Sequence, residues 1–323
     1  MRGGLMSAPE RRAAIDIGTV TTRLLVADID ESGVTEVSRR AVITHLGEGW
    51  TETGVLSEAG MSRVEETLRA FAAEVGALGA GRVTAVATSA VRDATNGAAF
   101  LERLRATGIA PEVISGEREA LLTFAGATFG GCGDHTLVVD IGGGSTELVL
   151  GSTCRPGADG GIEIEAARSI DVGARRVTEL YLAADPPTAR EIDEAAGWVA
   201  DELRPFFHGL RVRPREMVAV AGTATGLAAI DLALEPYDPD RVHGYRLGGH
   251  ALLDILQQLS ELTLEERRRV AGLEPGRAGV IVGGAIVLQA VLALAGLSST
   301  LVSEHDILYG MLLDADGSAA TEQ

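Results

Sequence analysis

Lysine is absent from this sequence, so all 28 basic side chains are arginines; against 46 acidic residues they leave a formal net charge of −18. A chain this acidic repels the phosphate backbone, which excludes general electrostatic binding of nucleic acid. An anionic ligand would need a local cluster of arginine, backbone N–H groups and metal. Aromatic residues amount to only 4%, which disfavours a small aromatic-rich β domain and favours aliphatic helices packed on sheets.

Cysteine is also rare. Cys132 and Cys154 stand in glycine-rich segments without neighbouring metal ligands, so they indicate free thiols in a reducing compartment and not a disulfide framework. The six histidines show no paired spacing of the kind that binds zinc. No long apolar run follows Met1, so we expect no signal peptide and a cytoplasmic protein.

One long apolar run does occur. Residues 279–297 are apolar apart from Gln289, and this length could span a bilayer. The run contains the pair Gly283–Gly284, lacks flanking aromatic anchors and stands alone in the chain. We therefore interpret it as a buried helix, and we expect no membrane partner.

The length of 323 residues predicts two compact domains. Apolar periodicity predicts three strands, then helix, strand, helix, strand and helix over the first 129 residues, with one helix over 93–106. The pattern restarts with three strands from Thr136 and ends with a strand at 300–302 and a helix from Asp306. The predicted domains are residues 1–125, with a helix over 306–323 packing back on them, and residues 126–305.

The restart is a sequence repeat. The segment AIDIGTVTTRLLV (14–26) lies in register with VVDIGGGSTELVL (138–150), and Asp, Ile, Gly, a small hydroxyl residue, Thr and Leu recur at the same offsets. Such self-similarity predicts two copies of one strand–turn–strand unit. Each copy places an aspartate, Asp16 or Asp140, at the end of a buried strand, where it can hold a metal ion or its water.

The glycine-containing turn of each copy suits phosphate, because glycine lets successive backbone N–H groups approach an anion. The predicted phosphate contacts are Gly18, Thr19 and Thr21 in the first turn and Gly142, Gly143, Gly144, Ser145 and Thr146 in the second. Glu147 occupies the register position of Arg23. We predict that the glutamate faces metal or water and the arginine faces phosphate; the alternative is two ordinary hairpins with solvated strand residues.

A strand-to-helix junction at residues 88–93 adds a further candidate. Such a junction offers free N–H groups and the positive end of a helix. We predict Ser89 and Arg92 as phosphate ligands here; alternatively, Ser89 or Asp93 simply caps the helix.

Two more junctions follow the same pattern. After Ser115, either Glu117 or Glu119 could activate water as a general base, although acids in a first turn also stabilise a helix without any catalytic role. Gly222 and Thr223 follow another apolar strand and are a third predicted anion contact, which carries little weight alone.

Together these segments resemble the exopolyphosphatase/guanosine pentaphosphatase (Ppx/GppA) family. The resemblance is carried, in family order, by AIDIGTVTTRLLVAD (14–28), ATSAVRDATN (87–96), VISGEREA (113–120), VVDIGGGSTELVL (138–150), SIDVGARRVTELYL (169–182), AGTATGLAAI (221–230) and SEHDILYGML (303–312). It implies an α/β fold, namely a duplicated actin-like (ribonuclease-H-like, ASKHA) two-domain fold with an active site in the interdomain cleft.

The resemblance also implies chemistry. The catalytic glutamate of the family falls on Glu119, its cleft arginine on Arg92, and its metal- and water-associated acids on Asp140 and Glu147. The implied cofactor is Mg²⁺ or Mn²⁺, and the implied substrate is inorganic polyphosphate or a guanosine polyphosphate such as pppGpp. A homodimer is the oligomeric state that the family suggests.

The sequence departs from the family at two points. The first turn usually reads Gly-Ser-Asn-Ser or Gly-Thr-Asn-Ser, whereas Val20 stands here in place of the Asn. This replacement affects the contacts that the Asn side chain makes in the family, whereas contacts through the backbone can remain. The C-terminal helical domains of longer members are missing, which favours short polyphosphate chains.

Three other interpretations of the function remain: a kinase of the same fold, a non-catalytic (p)ppGpp or polyphosphate sensor, and an actin-like filament or chaperone ATPase.

Overall fold

The computed structural model describes residues 9–30, 33–153 and 162–314, so Cys154 and the predicted helical residues 315–323 lie outside the described residues. The strands in these ranges are β1 (Glu10–Ile17), β2 (Thr21–Asp30), β3 (Gly33–Ile43), β4 (Arg82–Ala87), β5 (Glu112–Val113), β6 (Thr136–Ile141), β7 (Thr146–Thr153), β8 (Ile162–Ile170), β9 (Glu216–Val220), β10 (Arg246–Gly248) and β11 (Ser299–Val302).

The helices in the same ranges are α1 (Trp50–Thr53), α2 (Glu58–Leu78), α3 (Ser89–Asp93), α4 (Gly97–Arg105), α5 (Gly116–Ala127), α6 (Ala174–Tyr181), α7 (Ala189–Gly209), α8 (Ala221–Asp231), α9 (Pro239–Val242), α10 (Gly249–Glu261), α11 (Leu264–Arg267), α12 (Ile281–Ala295) and α13 (Ile307–Leu313). A short 3₁₀ turn spans Pro275–Arg277.

The strands form two sheets with matching topology. The first has the order β3-β2-β1-β4-β5, with β1, β2 and β3 antiparallel and β4 and β5 added in parallel. The second repeats this arrangement as β8-β7-β6-β9-β11 and adds β10 at its edge. The predicted duplication is therefore confirmed, and the chain has the expected two-lobed, actin-like α/β fold.

The two hairpins of the repeat also match in register. Asp16 lies opposite Arg23 in the first hairpin, and Asp140 lies opposite Glu147 in the second. Arg23 and Glu147, which have the same offset in the sequence repeat, thus occupy equivalent positions in the two hairpins. We call the first sheet with its helices the first lobe and the second sheet with its helices the second lobe.

Helix α5 packs against both lobes. Its Leu122 joins an apolar cluster with Ala14 and Leu25 of the first sheet, while Ala120 and Phe124 join a cluster with strands of the second sheet. Helix α13 packs on α5 and on β1 and β2, as expected for a helix that returns to the first lobe. The predicted boundary after residue 125 falls inside α5, and the domain limits stay a prediction.

The apolar run near the C-terminus forms α12, which is buried in the core of the second lobe. This confirms the buried-helix interpretation, and among the described residues no helix is both long and apolar enough to cross a membrane. The glycine pair has a packing role. A Cβ on Gly283 would collide with the Ala174 carbonyl, and one on Gly284 would lie 2.6 Å from the Thr223 side chain.

The predicted helix over 93–106 starts too early, because α4 begins at Gly97 and Asp93 is the last residue of the separate helix α3. Ala94 between them has an extended backbone (φ −74°, ψ 138°). The Asn96 side chain accepts from the N–H of Leu56 and donates to the carbonyl of Leu56, which holds the connection outside either helix. The short elements α1 and β10 were not predicted, since three or four residues carry too little periodicity.

Candidate active site

The two glycine turns share one internal hydrogen bond. The N–H of Gly18 donates to the Thr21 carbonyl at 3.1 Å, and the N–H of Gly142 donates to the Ser145 carbonyl at 3.0 Å. These two N–H groups are therefore used inside the turns. The predicted phosphate contacts of Gly18 and Gly142 cannot run through their own N–H groups.

The next N–H groups in each turn are free. Within residues 9–30, 33–153 and 162–314, those of Thr19, Val20, Gly143 and Gly144 have no protein acceptor. The carbonyls of the same turns point the other way: Val20 accepts from residues 44 and 45, and Gly143 accepts from residues 175 and 176. Each turn thus has its carbonyls tied to the lobe behind it and its donors unpaired, an arrangement that suits an anion.

The two turns face each other across the gap between the lobes. A Cβ on Gly143 would lie 2.6 Å from Val20 Cγ2, and a Cβ on Gly144 would lie 2.7 Å from Ser89 Oγ. The Thr19 and Ser89 hydroxyl groups are 3.0 Å apart. Glycine is therefore required here by the close approach of the opposite lobe.

Four carboxylates surround this gap. Asp16 and Asp140 lie at the ends of β1 and β6, Glu147 lies opposite Asp140, and Glu119 comes from the first turn of α5. Their residues are 3%, 6%, 1% and 8% exposed, respectively. Four acids at this depth are costly to ionise together, because each is desolvated and each repels the others.

The pKa values follow from that crowding. Burial and the neighbouring Glu147 raise the pKa of Asp140 to about 8. Burial raises the pKa of Glu147 to about 7, although hydroxyl groups of Ser169 and Ser145 bond to it and oppose the shift. Burial, with the charges of Glu147, Asp16 and Asp140, raises the pKa of Glu119 well above its usual value. Ionising these acids together therefore requires a compensating cation.

Arg23 supplies part of that compensation, but as an ion-pair partner. Its Nε and Nη2 donate to Asp16 Oδ2 at 3.0 and 2.5 Å, and its Nη1 donates to Asp306 Oδ2. Burial raises the pKa of Asp16, and Arg23 opposes the shift. The guanidinium predicted to bind phosphate is thus already engaged by two carboxylates, although it lines the cleft.

Arg92 lies beside Glu119, with Nη1 3.6 Å from Glu119 Oε2. Its Nε donates to Asp93 Oδ1. Neither Ser89 nor Asp93 is an N-cap, because Thr88 and Asn96 hold the N-cap positions of α3 and α4. Ser115 does cap α5, accepting from the N–H of Arg118. That cap fixes the start of α5 and directs Glu119 toward the gap.

The third junction packs against Arg277, a residue that was not predicted from the sequence. The Thr223 hydroxyl donates to the Ile141 carbonyl, and Gly222 touches the Arg277 guanidinium so closely that a Cβ would collide with it. Arg277 Nη2 also lies 3.3 Å from Thr21 Oγ1 in the opposite lobe. Burial lowers the pKa of Arg277. Only its position after the Pro275–Gly276 turn could have drawn attention to it.

The structure brings most of the predicted residues to one cleft. The predicted residues that line it are Asp16, Gly18, Thr19, Thr21, Arg23, Ser89, Glu119, Asp140, Gly142, Gly143, Ser145, Gly222 and Thr223. The other predicted residues, namely Gly144, Thr146, Glu147 and Arg92, are not among the residues that line the cleft. The Thr146 hydroxyl donates to the Val172 carbonyl and is fully buried, so it is turned away from any phosphate.

The carboxylates fit a cation that is only partly held by protein. Asp16 Oδ1, Glu119 Oε2 and Glu147 Oε2 are buried without a hydrogen-bond partner in the described ranges. In those ranges, no three acidic, histidine or cysteine side chains converge tightly enough to enclose a metal by themselves. Mg²⁺ matches both facts, because it keeps several waters and takes one or two carboxylates plus phosphate oxygens.

Comparison with known proteins gives a consistent result. The model of the Ppx/GppA phosphatase family matches residues 25–315. Exopolyphosphatase 2 of Mycobacterium tuberculosis is 39% identical over 327 residues, covering 95% of this chain and 99% of that protein. The crystal structure of an exopolyphosphatase-like protein superimposes with a TM-score of 0.88 at 34% identity, covering 95% and 98% of the two chains. An exopolyphosphatase from Cytophaga hutchinsonii gives 0.86 at 27% identity, covering 94% and 97%.

Proposed function

This chain belongs to the Ppx/GppA phosphatase family and is a phosphoanhydride hydrolase, and from that premise we propose that it is an exopolyphosphatase. It would release the terminal phosphate of inorganic polyphosphate by Mg²⁺-assisted attack of water. The observation that carries the proposal is the pair of facing turns with unpaired N–H groups, with Glu119 directed between them. This arrangement provides donors for a phosphoryl group and a carboxylate for the attacking water.

The reaction joins one water oxygen to the terminal phosphorus and breaks the bridging P–O bond. The bridging oxygen leaves with the shortened chain. We assign Glu119 to orient the water and accept its proton, since a carboxylate with a raised pKa is the stronger base once it is ionised. The free N–H groups of Thr19, Val20, Gly143 and Gly144 hold the phosphoryl oxygens. In phosphoryl transfer, such positioning and electrostatics supply most of the acceleration.

Asp16, Asp140 and Glu147 are the residues that we assign to the cation. When bound, Mg²⁺ or Mn²⁺ offsets charge on the phosphate oxygens and on the leaving group. Arg23 keeps Asp16 Oδ2 occupied through two hydrogen bonds, so within the described residues Asp16 Oδ1 is the oxygen that remains for a ligand. We propose that Arg92 interacts with Glu119 and with the phosphoryl group beside it.

A guanosine polyphosphate is the second candidate substrate. A larger cavity adjoins the cleft and shares Arg23, Gly222 and Arg277 with it. The lining of this second cavity is mixed. It contains apolar residues (Leu234, Pro236, Tyr237, Val270 and Leu273), arginines (Arg39, Arg40, Arg268 and Arg269) and acids (Glu235, Glu274, Glu304 and Asp306). A nucleoside would use the apolar residues, whereas the distal phosphates of a polymer would use the arginines.

Release of phosphate from three substrates tests the proposal. Purified protein is given short polyphosphate, long polyphosphate or pppGpp, each with and without Mg²⁺ or Mn²⁺. We expect cation-dependent release from polyphosphate, fastest with short chains. Faster release from pppGpp would favour the second candidate. Tight binding of any of these ligands with no release would favour the non-catalytic sensor, and phosphate transfer to or from ADP would indicate a kinase.

Location and assembly are part of the same proposal. We assign the protein to the cytoplasm, consistent with a phosphate substrate and the scarcity of cysteine. A homodimer is proposed from the family alone, and light scattering of the purified protein measures it.

A further inference from the structure

The geometry points to an end wall, built around Trp50, that closes one end of the cleft and restricts cleavage to the terminal phosphate of a chain. The wall consists of His45, Gly49 and Trp50 from the first lobe and Arg175, Arg176 and Glu179 from α6 of the second. The inference rests on the proposed function, because it concerns how a polyphosphate chain lies in the cleft.

The first-lobe part of the wall is fastened to the first turn. The Thr19 carbonyl accepts from the N–H of Gly47 at 2.9 Å, and the Val20 carbonyl accepts from Thr44 and His45, also at 2.9 Å. A Cβ on Gly47 would collide with the Thr19 side chain. The segment leading to Trp50 therefore cannot shift without moving the turn that is proposed to hold phosphate.

Trp50 fills the space beside the second turn. The residue is 5% exposed, and a Cβ on Gly144 would lie 3.4 Å from its ring. The Arg176 guanidinium lies over the ring, 4.9 Å from its centroid, and Arg176 Nε donates to the Gly144 carbonyl at 3.0 Å. The indole thus packs against both the second turn and a cation that is bonded to that turn, a favourable arrangement for an aromatic ring.

Further bonds join the two lobes at this end. The N–H of Gly49 donates to Glu179 Oε1 at 3.2 Å, and the Arg175 guanidinium hydrogen-bonds to the His45 ring. Arg175 also lies 3.4 Å from Glu179 on the same helix. The wall is therefore a continuous set of contacts across the gap and not a single side chain.

On the Arg277 side, the cleft continues into the second cavity. Arg277 lies 3.3 Å from the Thr21 hydroxyl of the first turn, and the two cavities share Arg23, Ala221, Gly222 and Arg277 as lining residues. A chain can extend from the turns into that cavity. No phosphate can extend past the turns into the wall, so only a terminal phosphoryl group reaches the position between the turns.

Polyphosphate with blocked ends tests this on the unaltered protein. We compare short chains with free ends and chains in which each terminal phosphate carries a phenyl ester, separating products by anion exchange. We expect kcat/KM to fall by about tenfold or more for blocked chains, since specificity of this kind comes from a built-in clash. Equal hydrolysis of both substrates would overturn both the role of the wall and the restriction to chain ends, while phosphoanhydride hydrolysis itself would stand. Absence of release even from free-ended chains would instead overturn the proposed function.

Removing the end wall should weaken the restriction of cleavage to the terminal phosphate. We expect the double variant Trp50→Ala, Arg176→Ala to hydrolyse blocked chains relatively better than the unaltered protein does. Trp198→Ala is the matched control, because it removes the other indole, which packs on Tyr181 in the second lobe. A folded double variant that cleaves free-ended chains yet rejects blocked ones as strongly as before contradicts the assignment. If the double variant does not fold, the comparison on the unaltered protein decides.

Discussion

Replacing Gly143 by alanine tests whether the closeness of the two turns matters for catalysis. The new Cβ would lie 2.6 Å from Val20 Cγ2 and 3.0 Å from Thr19 Cβ, both on the opposite lobe. Ordinary carbon–carbon contact begins at about 3.5 Å. The turns would therefore have to separate by roughly 1 Å at this point, and a displacement of about 1 Å between reacting groups can lower the rate by about a hundredfold.

The size of the effect can be checked by a second substitution. Val20→Ala removes the Cγ2 that meets the new methyl group, while Thr19 Cβ stays in place. Combining Gly143→Ala with Val20→Ala should therefore recover roughly tenfold of the lost activity, since contacting residues are energetically coupled. The quantity to measure is kcat/KM for phosphate release from short polyphosphate with Mg²⁺, together with the melting temperature of each variant.

Gly197→Ala is the matched control for this experiment. Gly197 lies on α7 of the second lobe, and its added Cβ meets nothing within 4 Å. It should leave kcat/KM unchanged and stabilise the protein by about 0.5–1 kcal/mol, because alanine favours a helix over glycine. The reasoning is refuted if Gly143→Ala retains full activity, or if Val20→Ala fails to restore any of it while the protein stays folded.

Three further predictions address the other parts of the site. Glu119→Gln should lower kcat for polyphosphate by about 10²–10⁴-fold and leave binding nearly unchanged, because only proton transfer is lost; single-turnover rates and calorimetric binding measure the two effects, and unchanged turnover contradicts the assignment. Arg277→Lys keeps the charge but loses the planar fork near Thr21, so KM should rise by about tenfold in steady-state assays; an unaltered KM argues against a phosphate role. Gly126→Ala brings a methyl group into collision with the Asp306 carbonyl where α5 meets α13. We expect it to lower the free energy of unfolding in urea by about 1–3 kcal/mol. An unchanged urea midpoint would mean that the two helices can separate freely.

Several features of the fold were predictable because they are written in short segments. The repeat at 14–26 and 138–150 predicted two equivalent hairpins, and both form with Asp at the same register position. Helical spacing predicted α2, in which Val64, Leu68 and Phe71 are buried. Patterns of this kind survive in the fold because the local backbone conformation and the burial of one face are set by neighbouring residues.

The side-chain partners inside the cleft were not predictable in the same way. Arg23 was predicted to face phosphate from its register position, yet it binds Asp306, which lies 283 positions further along the chain. Arg277 stands in no motif and reaches Thr21 because the loop that carries it packs on the first lobe; a Cβ on Gly276 would lie 2.7 Å from Ile43. Thr146 belongs to the most recognisable motif, but its hydroxyl is used by the Val172 carbonyl.

The sequence by itself thus determined the duplication, the identity of the acids and glycines, and the strand ends on which they lie. Tertiary structure alone decided which N–H groups remain unpaired, which carboxylates share Arg23, and which end of the cleft Trp50 fills. The physical reason is that a turn or a strand is stabilised by residues adjacent in sequence. Hydrogen bonds and ion pairs across a cleft depend instead on how distant elements pack, and no short pattern records that packing.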